Sequence, residues 1–155
     1  MDWAKIAPEF KFDGSWRDIY VPNAGVQGWA AVWERLCGLT PAPVLHRANS
    51  SGPMPPRFEW PGQVAGGRAH LSVKFGEITF NCHFFDDDEI EFDFDPREVR
   101  GANDTKDVAA FMALLGEATA EPVLLTWENA REAVIARYDP RLSEIEWLPL
   151  SKQAT

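Results

Sequence analysis

A cysteine, a histidine and a run of four acids lie close together near the middle of the chain. Cys82 and His83 are adjacent, and the acids occupy positions 86–89. Sulfur, imidazole and carboxylate groups are common protein ligands of divalent metals. Because consecutive residues of a strand point to opposite faces of its sheet, Cys82 and His83 cannot both reach one ion without a bulge. We therefore expect no metal or cofactor, with Cys82 in the core and His83 at the surface, held by Glu91 or another acid.

Carboxylates recur at every second position after this run, at Glu91, Asp93 and Asp95. Two carboxylates, or a carboxylate with a histidine, can carry out hydrolytic acid–base chemistry. A small hydrolase or metal-dependent enzyme that uses His83, Glu91 and Asp93 is therefore one possible function. No nucleophile accompanies these groups, because both cysteines are predicted on apolar faces, where thiols are usually inert. We expect that the chain is not an enzyme and keep hydrolysis as an alternative.

The density of acids is the most distinctive property of the sequence. Nine acids and a single base, Arg97, fall between Glu77 and Glu98, in a chain whose net charge is −9. Negative charge opposes binding to nucleic-acid phosphates and anionic lipids, and it attracts basic proteins. We expect a basic protein partner and no direct contact with nucleic acid or membrane. A surface that merely keeps the chain soluble is the other interpretation.

Three strands are predicted to hold these groups. Apolar and polar residues alternate over 71–75, 78–84 and 90–94, which is the period of strands with one buried face. The two later strands should pair in an antiparallel register that keeps apolar residues opposite one another. The resulting pairs are Cys82–Phe92 and Phe84–Ile90 on the apolar face, and His83–Glu91 and Asn81–Asp93 on the polar face.

The N-terminal part is predicted to form a hairpin and a helix. Asp13-Gly14 separates two alternating runs, 9–12 and 16–21, and this dipeptide favours a hairpin turn. A helix is expected from a cap at Asn23 to about Cys37. Six of its residues should face the core: Val26, Trp29, Ala30, Trp33, Leu36 and Cys37. Trp16 and Trp127 are also assigned to packing.

Residues 38–67 are rich in proline and glycine. Proline removes amide donors and fixes φ, so this segment is predicted to be a long loop with one short strand around 58–60. Long loops inside compact domains often have a function. Phe58 and Trp60 either anchor this loop to the surface or contact a ligand. The second interpretation makes the chain an accessory subunit or a ligand-binding module.

The C-terminal part is predicted to contain a helix at about 104–118, a short strand at 122–126 and a hairpin of residues 133–138 and 144–148. Residues 128–137 also fit one helix. The inner side of the first helix should consist of Val108, Phe111, Met112 and Leu115. Residues 1–155 are thus predicted to form a single α+β domain, in which an antiparallel sheet of about five to seven strands packs with two main helices.

Length and composition define the expected environment. A chain of 155 residues can bury enough surface for one core. Its longest apolar runs are far shorter than the ~20 residues of a membrane-spanning helix, and its first residues lack the pattern of a secretory signal. We expect a cytoplasmic protein, in which Cys37 and Cys82 are buried free thiols.

In size, negative charge, α+β pattern and the acidic strand pair 80–85 and 89–95, the chain resembles small acidic cytoplasmic immunity proteins of bacterial toxin systems. Such immunity proteins bind and neutralise a cognate toxin. The resemblance implies a non-catalytic inhibitor, or antitoxin, and no residue is assigned from it by position. The candidate partner-binding residues come from the acid-rich segment itself, and they are Asp86, Asp87, Asp88, Glu89, Glu91, Asp93, Asp95 and His83.

Overall fold

The computed structural model describes residues 1–60 and 69–149. Its α-helices are α1 (Trp3–Ile6), α2 (Gly25–Cys37) and α3 (Ala102–Thr119), and short 3-10 helices span Ala7–Phe10 and Pro96–Glu98. Its strands are β1 (Arg17–Val21), β2 (Val44–Arg47), β3 (Ser50–Pro53), β4 (His70–Phe75), β5 (Ile78–Cys82), β6 (Ile90–Phe94), β7 (Val123–Trp127), β8 (Ala130–Asp139) and β9 (Glu144–Trp147).

The strands form one antiparallel sheet in the order β3-β2-β4-β5-β6-β1-β7-β8-β9. The α+β class is therefore confirmed. The expected five to seven strands and two helices are too few, since the described residues form nine strands and three α-helices. Part of the difference comes from the proline-rich segment, where β2 and β3 extend the sheet beyond β4.

Helix α3 packs across β5, β1, β7 and β8, with α2 beside it. Phe111 of α3 stacks on Phe80 of β5, with 4.0 Å between the ring centroids, and meets Phe92 of β6 edge-on. The strand residues beneath the helices are buried in alternation, as the period of two predicts. The inner side of α3 is also confirmed, because its four predicted residues are fully buried: Val108, Phe111, Met112 and Leu115.

Strands β5 and β6 pair in the predicted register, with Cys82 opposite Phe92 and Asn81 opposite Asp93. The predicted continuation of β5 to Phe84 is wrong, because the strand ends at Cys82. Phe84 has a φ of +55° and places its ring against the tryptophans of α2. The chain thus leaves the sheet just before the acidic turn that joins β5 to β6.

The predicted N-terminal hairpin is wrong in its first strand. Residues 7–10 form a 3-10 helix with Pro8 at its start, where the missing amide hydrogen costs little. Gly14 has the expected positive φ, +98°, but the strand that follows pairs with β6 and β7 instead. The fully buried Arg17 holds the two parts together, since its Nε donates to the carbonyl oxygen of Glu9 at 2.7 Å.

Helix α2 begins at Gly25 and lacks the predicted side-chain cap from Asn23. Its buried side is displaced from the prediction and consists of Gly28, Trp29, Val32, Trp33 and Leu36. Trp29, Trp33 and Leu36 are thus confirmed, whereas Val26, Ala30 and Cys37 are exposed. Both cysteines are free thiols, but only Cys82 is buried, which corrects the prediction for Cys37.

The segment 38–67 is only partly a loop. It contains β2 and β3, and the strand predicted around 58–60 is wrong, because these residues have no regular structure. Phe58 and Trp60 pack on Trp29 of α2, with ring centroids 5.6 and 5.4 Å away, so they anchor the chain to the surface. The remainder of this prediction, residues 61–67, lies outside the described residues.

The strand at β7 and the C-terminal hairpin of β8 and β9 are confirmed, and the alternative helix over 128–137 is wrong. Strand β8 starts at Ala130, earlier than predicted. Its register against β7 shifts on both sides of Thr126. Such bulges bend a strand and increase its local twist.

Gly116 provides a test of how α3 sits on the sheet. A Cβ at this position would come within 2.5 Å of the buried Tyr138 ring of β8. In an open helix, alanine is more stable than glycine by about 1 kcal/mol, whereas overpacking a core costs about 1–3 kcal/mol. An approach of 2.5 Å calls for the upper part of that cost, about 2–3 kcal/mol. We therefore expect Gly116→Ala to lower the free energy of unfolding by about 1–2 kcal/mol in urea denaturation.

Gly38→Ala is the matched control. Its Cβ would meet only the carbonyl oxygen of Arg35, at an ordinary 3.5 Å. Its free energy of unfolding should stay within about 0.5 kcal/mol of the wild type. A Gly116→Ala protein as stable as the wild type would contradict the close packing of α3 on β8.

Candidate functional site

The face of the sheet opposite α3 is polar over its central strands, and we call it the polar face. Strand alternation directs to this face the side chains that lie between the buried apolar ones. Paired positions on β4, β5, β6, β1 and β7 place in one row Ser72, Asn81, Asp93, Asp18 and Thr126. Beside this row, two further pairs are His46 with His70 and Glu91 with Tyr20.

The three histidines of the chain lie side by side on the polar face. His46 and His70 are opposite each other on β2 and β4, with 4.3 Å between ring centroids, and His83 follows 5.9 Å from His70. Burial, and then the neighbouring imidazoles, lower the pKa of His70. Adjacent imidazoles oppose each other's protonation, so His70 is neutral at physiological pH.

His83 is held by Asp93. Its Nε2 lies 3.1 Å from Asp93 Oδ2, and this hydrogen bond raises the pKa of His83. Phe85 stacks beside the imidazole, with 5.5 Å between ring centroids. The prediction of a surface His83 held by an acid is thus confirmed, and the acid is Asp93 rather than Glu91.

Asp18 and Asp93 lie directly opposite each other on β1 and β6. Asp18 is buried and accepts hydrogen bonds from the Tyr20 hydroxyl at 2.9 Å and the Asn129 amide at 2.8 Å. Burial, with a contribution from the charge on Asp93, raises the pKa of Asp18 despite these hydrogen bonds. Asp93 Oδ1 is shielded from solvent and accepts no hydrogen bond from the described residues. The fold therefore holds two acids together at an electrostatic cost.

Glu91 adds a third acid to this group. Burial, followed by the charges of Asp18 and Glu89, raises the pKa of Glu91 to about 7. Arg131 supplies partial compensation, because both of its terminal nitrogens bind the Glu89 carboxylate and its guanidinium lies 4.4 Å from the Tyr20 ring centroid. Within residues 1–60 and 69–149, no Lys or Arg forms an ion pair with Asp18, Glu91 or Asp93.

The irregular pairing of β7 with β8 explains how Arg131 reaches the polar face. Thr126 pairs with Val134, but the next residue, Trp127, pairs with Ala130. Residues 131–133 therefore have no paired residue on β7 and form a bulge in β8. This excursion places Arg131 over β1, where its guanidinium covers Tyr20.

A shallow cavity of about 410 Å³ opens on the polar face, lined by Trp16, His70, Asn81, His83, Asp93 and Glu128. Glu128 accepts a hydrogen bond from the main-chain amide of Trp16 at 3.1 Å, which joins the two residues at one side of the cavity. Trp16, predicted to serve packing, lines this cavity instead. Aromatic rings and carboxylates therefore face a common space.

The exposed turn that contains Asp86–Asp88 joins β5 to β6, and we call it the acid turn. Within it, the Asp86 carboxylate accepts a hydrogen bond from the amide of Asp88 at 2.8 Å. The Asp88 carbonyl oxygen accepts one from the amide of Gly25 at 2.9 Å, which fastens the turn to the start of α2. The acid turn therefore has a defined position at the start of α2, where β5 connects to β6.

Two exposed apolar side chains accompany the acid turn. Phe85 precedes it and is 69% exposed, and Val26, next to the Gly25 that holds the turn, is 59% exposed. Each of these side chains therefore adds apolar area to the surface around the acid turn. Val26, predicted to face the core, is therefore an exposed apolar side chain near the acid turn.

The predicted site residues separate into three groups. Glu89, Glu91, Asp93 and His83 lie on or beside the polar face, and Asp86, Asp87 and Asp88 form the acid turn. Asp95 belongs to neither, because its carboxylate binds the Arg97 guanidinium at 2.7 Å and caps a 3-10 helix. Cys82 faces the helices, and burial raises the pKa of its thiol, so it cannot act together with His83.

The chemistry that this arrangement allows is limited. His83 and Asp93 form a proton-transfer pair, but Nδ1 of His83 contacts no hydroxyl or thiol of the described residues. The carboxylates of the acid turn lie within 4.8 Å of one another, the spacing of metal ligands. Metal sites for hard cations also supply carbonyl oxygens and enclosure, which three exposed side chains do not provide. The arrangement does offer a cation several carboxylate oxygens at one surface.

Several residues of the polar face are not identified as site residues by the sequence pattern. The alternation in residues 16–21 predicts a strand, and so it could have placed Asp18 and Tyr20 on one polar side. This alternation does not indicate, however, that β1 lies between β6 and β7. The other residues missed are His46, His70, Glu128 and Arg131, which reach the site from the proline-rich segment, β4 and the bulged hairpin.

Comparison with protein-family models, with curated proteins and with solved structures finds no match for this chain.

The neighbouring histidines of the polar face lead to a prediction for NMR titration. In the wild type, His83 should titrate above the usual histidine pKa of about 6.5 and His70 below it. Asp93→Asn removes the charged acceptor, so the pKa of His83 should fall toward the usual value. Glu34→Gln, which removes an exposed acid of α2, is the control and should leave the titration of His83 unchanged. An unchanged His83 pKa in Asp93→Asn would contradict the hydrogen bond.

Glu91 makes a prediction for stability. Its pKa is raised from 4.5 to about 7 in the folded protein, so folding favours the protonated form, and wild-type stability falls as pH rises through this range. Glutamine cannot ionise. We expect Glu91→Gln to match the wild type near pH 4.5 and to exceed its free energy of unfolding by about 1 kcal/mol near pH 8, after allowance for solvent screening.

Glu34→Gln is the control for this experiment, because Glu34 is exposed on α2 and forms no ion pair with a described residue. Its stability should follow the wild type at both pH values in urea denaturation. If the difference in stability between Glu91→Gln and the wild type does not grow from about pH 4.5 to about pH 8, Glu91 carries no electrostatic cost.

Proposed function

We propose that this protein is a non-catalytic binding protein, an immunity protein that neutralises a basic bacterial toxin through the polar face and the acid turn. The observation that supports this most is the group Asp18, Glu91 and Asp93, held side by side on neighbouring strands with no ion pair to a Lys or Arg of the described residues. A cationic surface placed on this group would relieve its repulsion.

The cost of this group is the first argument for a partner. Like charges opposite each other destabilise a sheet, and burial makes the repulsion stronger than it is in water. Sites that bind often retain such unfavourable arrangements at the expense of stability. The raised pKa values of Asp18 and Glu91 show that both carboxylates lie in surroundings that oppose their charge. Binding to cations supplies the missing counter-charge.

The shape of the surface is the second argument, and it favours a protein over a small molecule. The cavity on the polar face is shallow and is bordered by exposed side chains such as Glu128 and His83. Small-molecule sites are usually enclosed and mostly apolar. Acids continue from the polar face through Glu89 into the acid turn, so the charged surface is wider than one small ligand.

Phe85 and Val26 are the third argument. Interfaces combine charged residues, which guide association, with aromatic groups that supply binding energy. Phe85 is braced by its stacking on His83, so its exposed ring is held in place before any partner arrives. The acid turn thus offers both kinds of contact within a few residues.

Immunity proteins are the class that this surface fits, as the sequence resemblance implies. A cytoplasmic location belongs to the same proposal, since an immunity protein of this kind meets its toxin inside the cell. Among residues 1–60 and 69–149, no helix has the length and hydrophobicity needed to cross a membrane.

The test begins with affinity capture of the partner from the source cells. A captured basic protein should inhibit growth when expressed alone and lose this effect when co-expressed with the wild type. In the variant Asp86→Lys, Asp87→Lys, Asp88→Lys, reversed charges should lower the association rate constant at low salt by about tenfold or more and abolish protection. Surface plasmon resonance at low and high salt measures the rate.

A variant with the same number of reversed acids elsewhere is the matched control: Glu34→Lys, Glu144→Lys, Glu146→Lys. These three acids are exposed on α2 and β9. If both triple variants slow association equally, net charge alone attracts the partner and the acid turn has no special role. A captured protein that is harmless when expressed alone would contradict the immunity function.

A further inference from the structure

We propose that the cavity on the polar face receives the guanidinium group of an arginine from the basic partner, with Asp93 and Glu128 as its acceptors. This inference rests on the proposed function and names the group that the polar face recognises. We use the name arginine subsite for the cavity lined by Trp16, His70, Asn81, His83, Asp93 and Glu128.

The acceptors of the arginine subsite are incompletely used. Asp93 Oδ2 contacts His83, but Oδ1 accepts no hydrogen bond from the described residues. An acceptor shielded from water and left without a donor is unfavourable. Asp93 lines the cavity, and because the torsion about the bond to an aspartate carboxyl is broad, this carboxylate can reorient toward a donor that enters it. Glu128, exposed at the opposite side, uses one oxygen for the Trp16 amide.

The rings of the arginine subsite suit a flat cation. Trp16 lines the cavity, and an indole face attracts a guanidinium more strongly than other rings do. His83, whose pKa is raised, is already paired with Asp93, which offsets its charge. His70 also faces this space, and its lowered pKa keeps it uncharged at neutral pH, so it does not repel a cation. Carboxylates with aromatic walls are the surroundings in which arginine is preferred to lysine.

Arg131 shows that this surface already binds a guanidinium. Its two terminal nitrogens bind Glu89, and its guanidinium lies over the Tyr20 ring. In the arginine subsite the ring and the carboxylates are present, and no Lys or Arg among the described residues pairs with Asp93 or Glu128.

The experiment compares an oligoarginine peptide with an oligolysine peptide of equal length, titrated into the full-length protein by isothermal calorimetry at low salt. Both peptides carry the same charge, so general attraction to the acids is equal. One additional charge-assisted hydrogen bond corresponds to about a tenfold change in affinity. We expect the arginine peptide to bind about tenfold more tightly, and Glu128→Gln and Asp93→Asn each to reduce this preference.

Glu34→Gln is the control and should keep the full preference for arginine. Because Asp93→Asn also removes the charged acceptor of His83, its fold is checked by circular dichroism, and Glu128→Gln provides the test should the first variant unfold. Equal binding of both peptides to the wild type would overturn the arginine subsite while leaving the proposed function intact. Failure of both peptides to bind would contradict the proposed function itself.

Discussion

The apolar core forces the acids of the polar face together. Ile19 of β1 is paired with Phe92 of β6, and both are buried on the helix side. A shift of one residue between these strands would separate Asp18 from Asp93, but it would also turn one strand's apolar residues out to solvent. Burial of two large apolar side chains outweighs the repulsion between two partly screened carboxylates. A shift of two residues would keep the apolar residues inside but place Asp18 opposite Glu91 or Asp95. The core therefore brings acids of the two strands together in each register that it allows.

Local hydrogen bonds and one cation reduce this repulsion without removing it. The Tyr20 hydroxyl and the Asn129 amide donate to Asp18, and the bulge in β8 brings Arg131 above the same strand. Hydrogen bonds that favour the ionised form lower a carboxyl pKa, yet the pKa of Asp18 stays raised. The repulsion among Asp18, Glu91 and Asp93 thus follows from how β1 and β6 pair, and the local hydrogen bonds do not remove it.

The sequence predicts those parts of the fold that depend on local period. The alternation over residues 71–94 yields the strands and the register of β5 with β6, and the helical period yields the buried side of α3. Prediction from the sequence fails where the structure depends on pairing between strands that are far apart in the chain. Asp13-Gly14 does form a turn, but Pro8 favours a 3-10 helix before it, and β1 finds its neighbours far along the chain. Asp18 and His70 could not be assigned to one site for the same reason.

The error at Val26 has a physical cause that also bears on function. The helical period allows several adjacent sides of α2 to face the core, and Trp29 and Trp33 settle the choice through their contacts with Phe58 and Phe84. Val26 is then left outside. The hydrogen bond from Gly25 to Asp88 holds this end of the helix against the acid turn. A surface that is ordered before binding loses less conformational entropy on association, so the same packing that exposes Val26 would favour the partner that we propose.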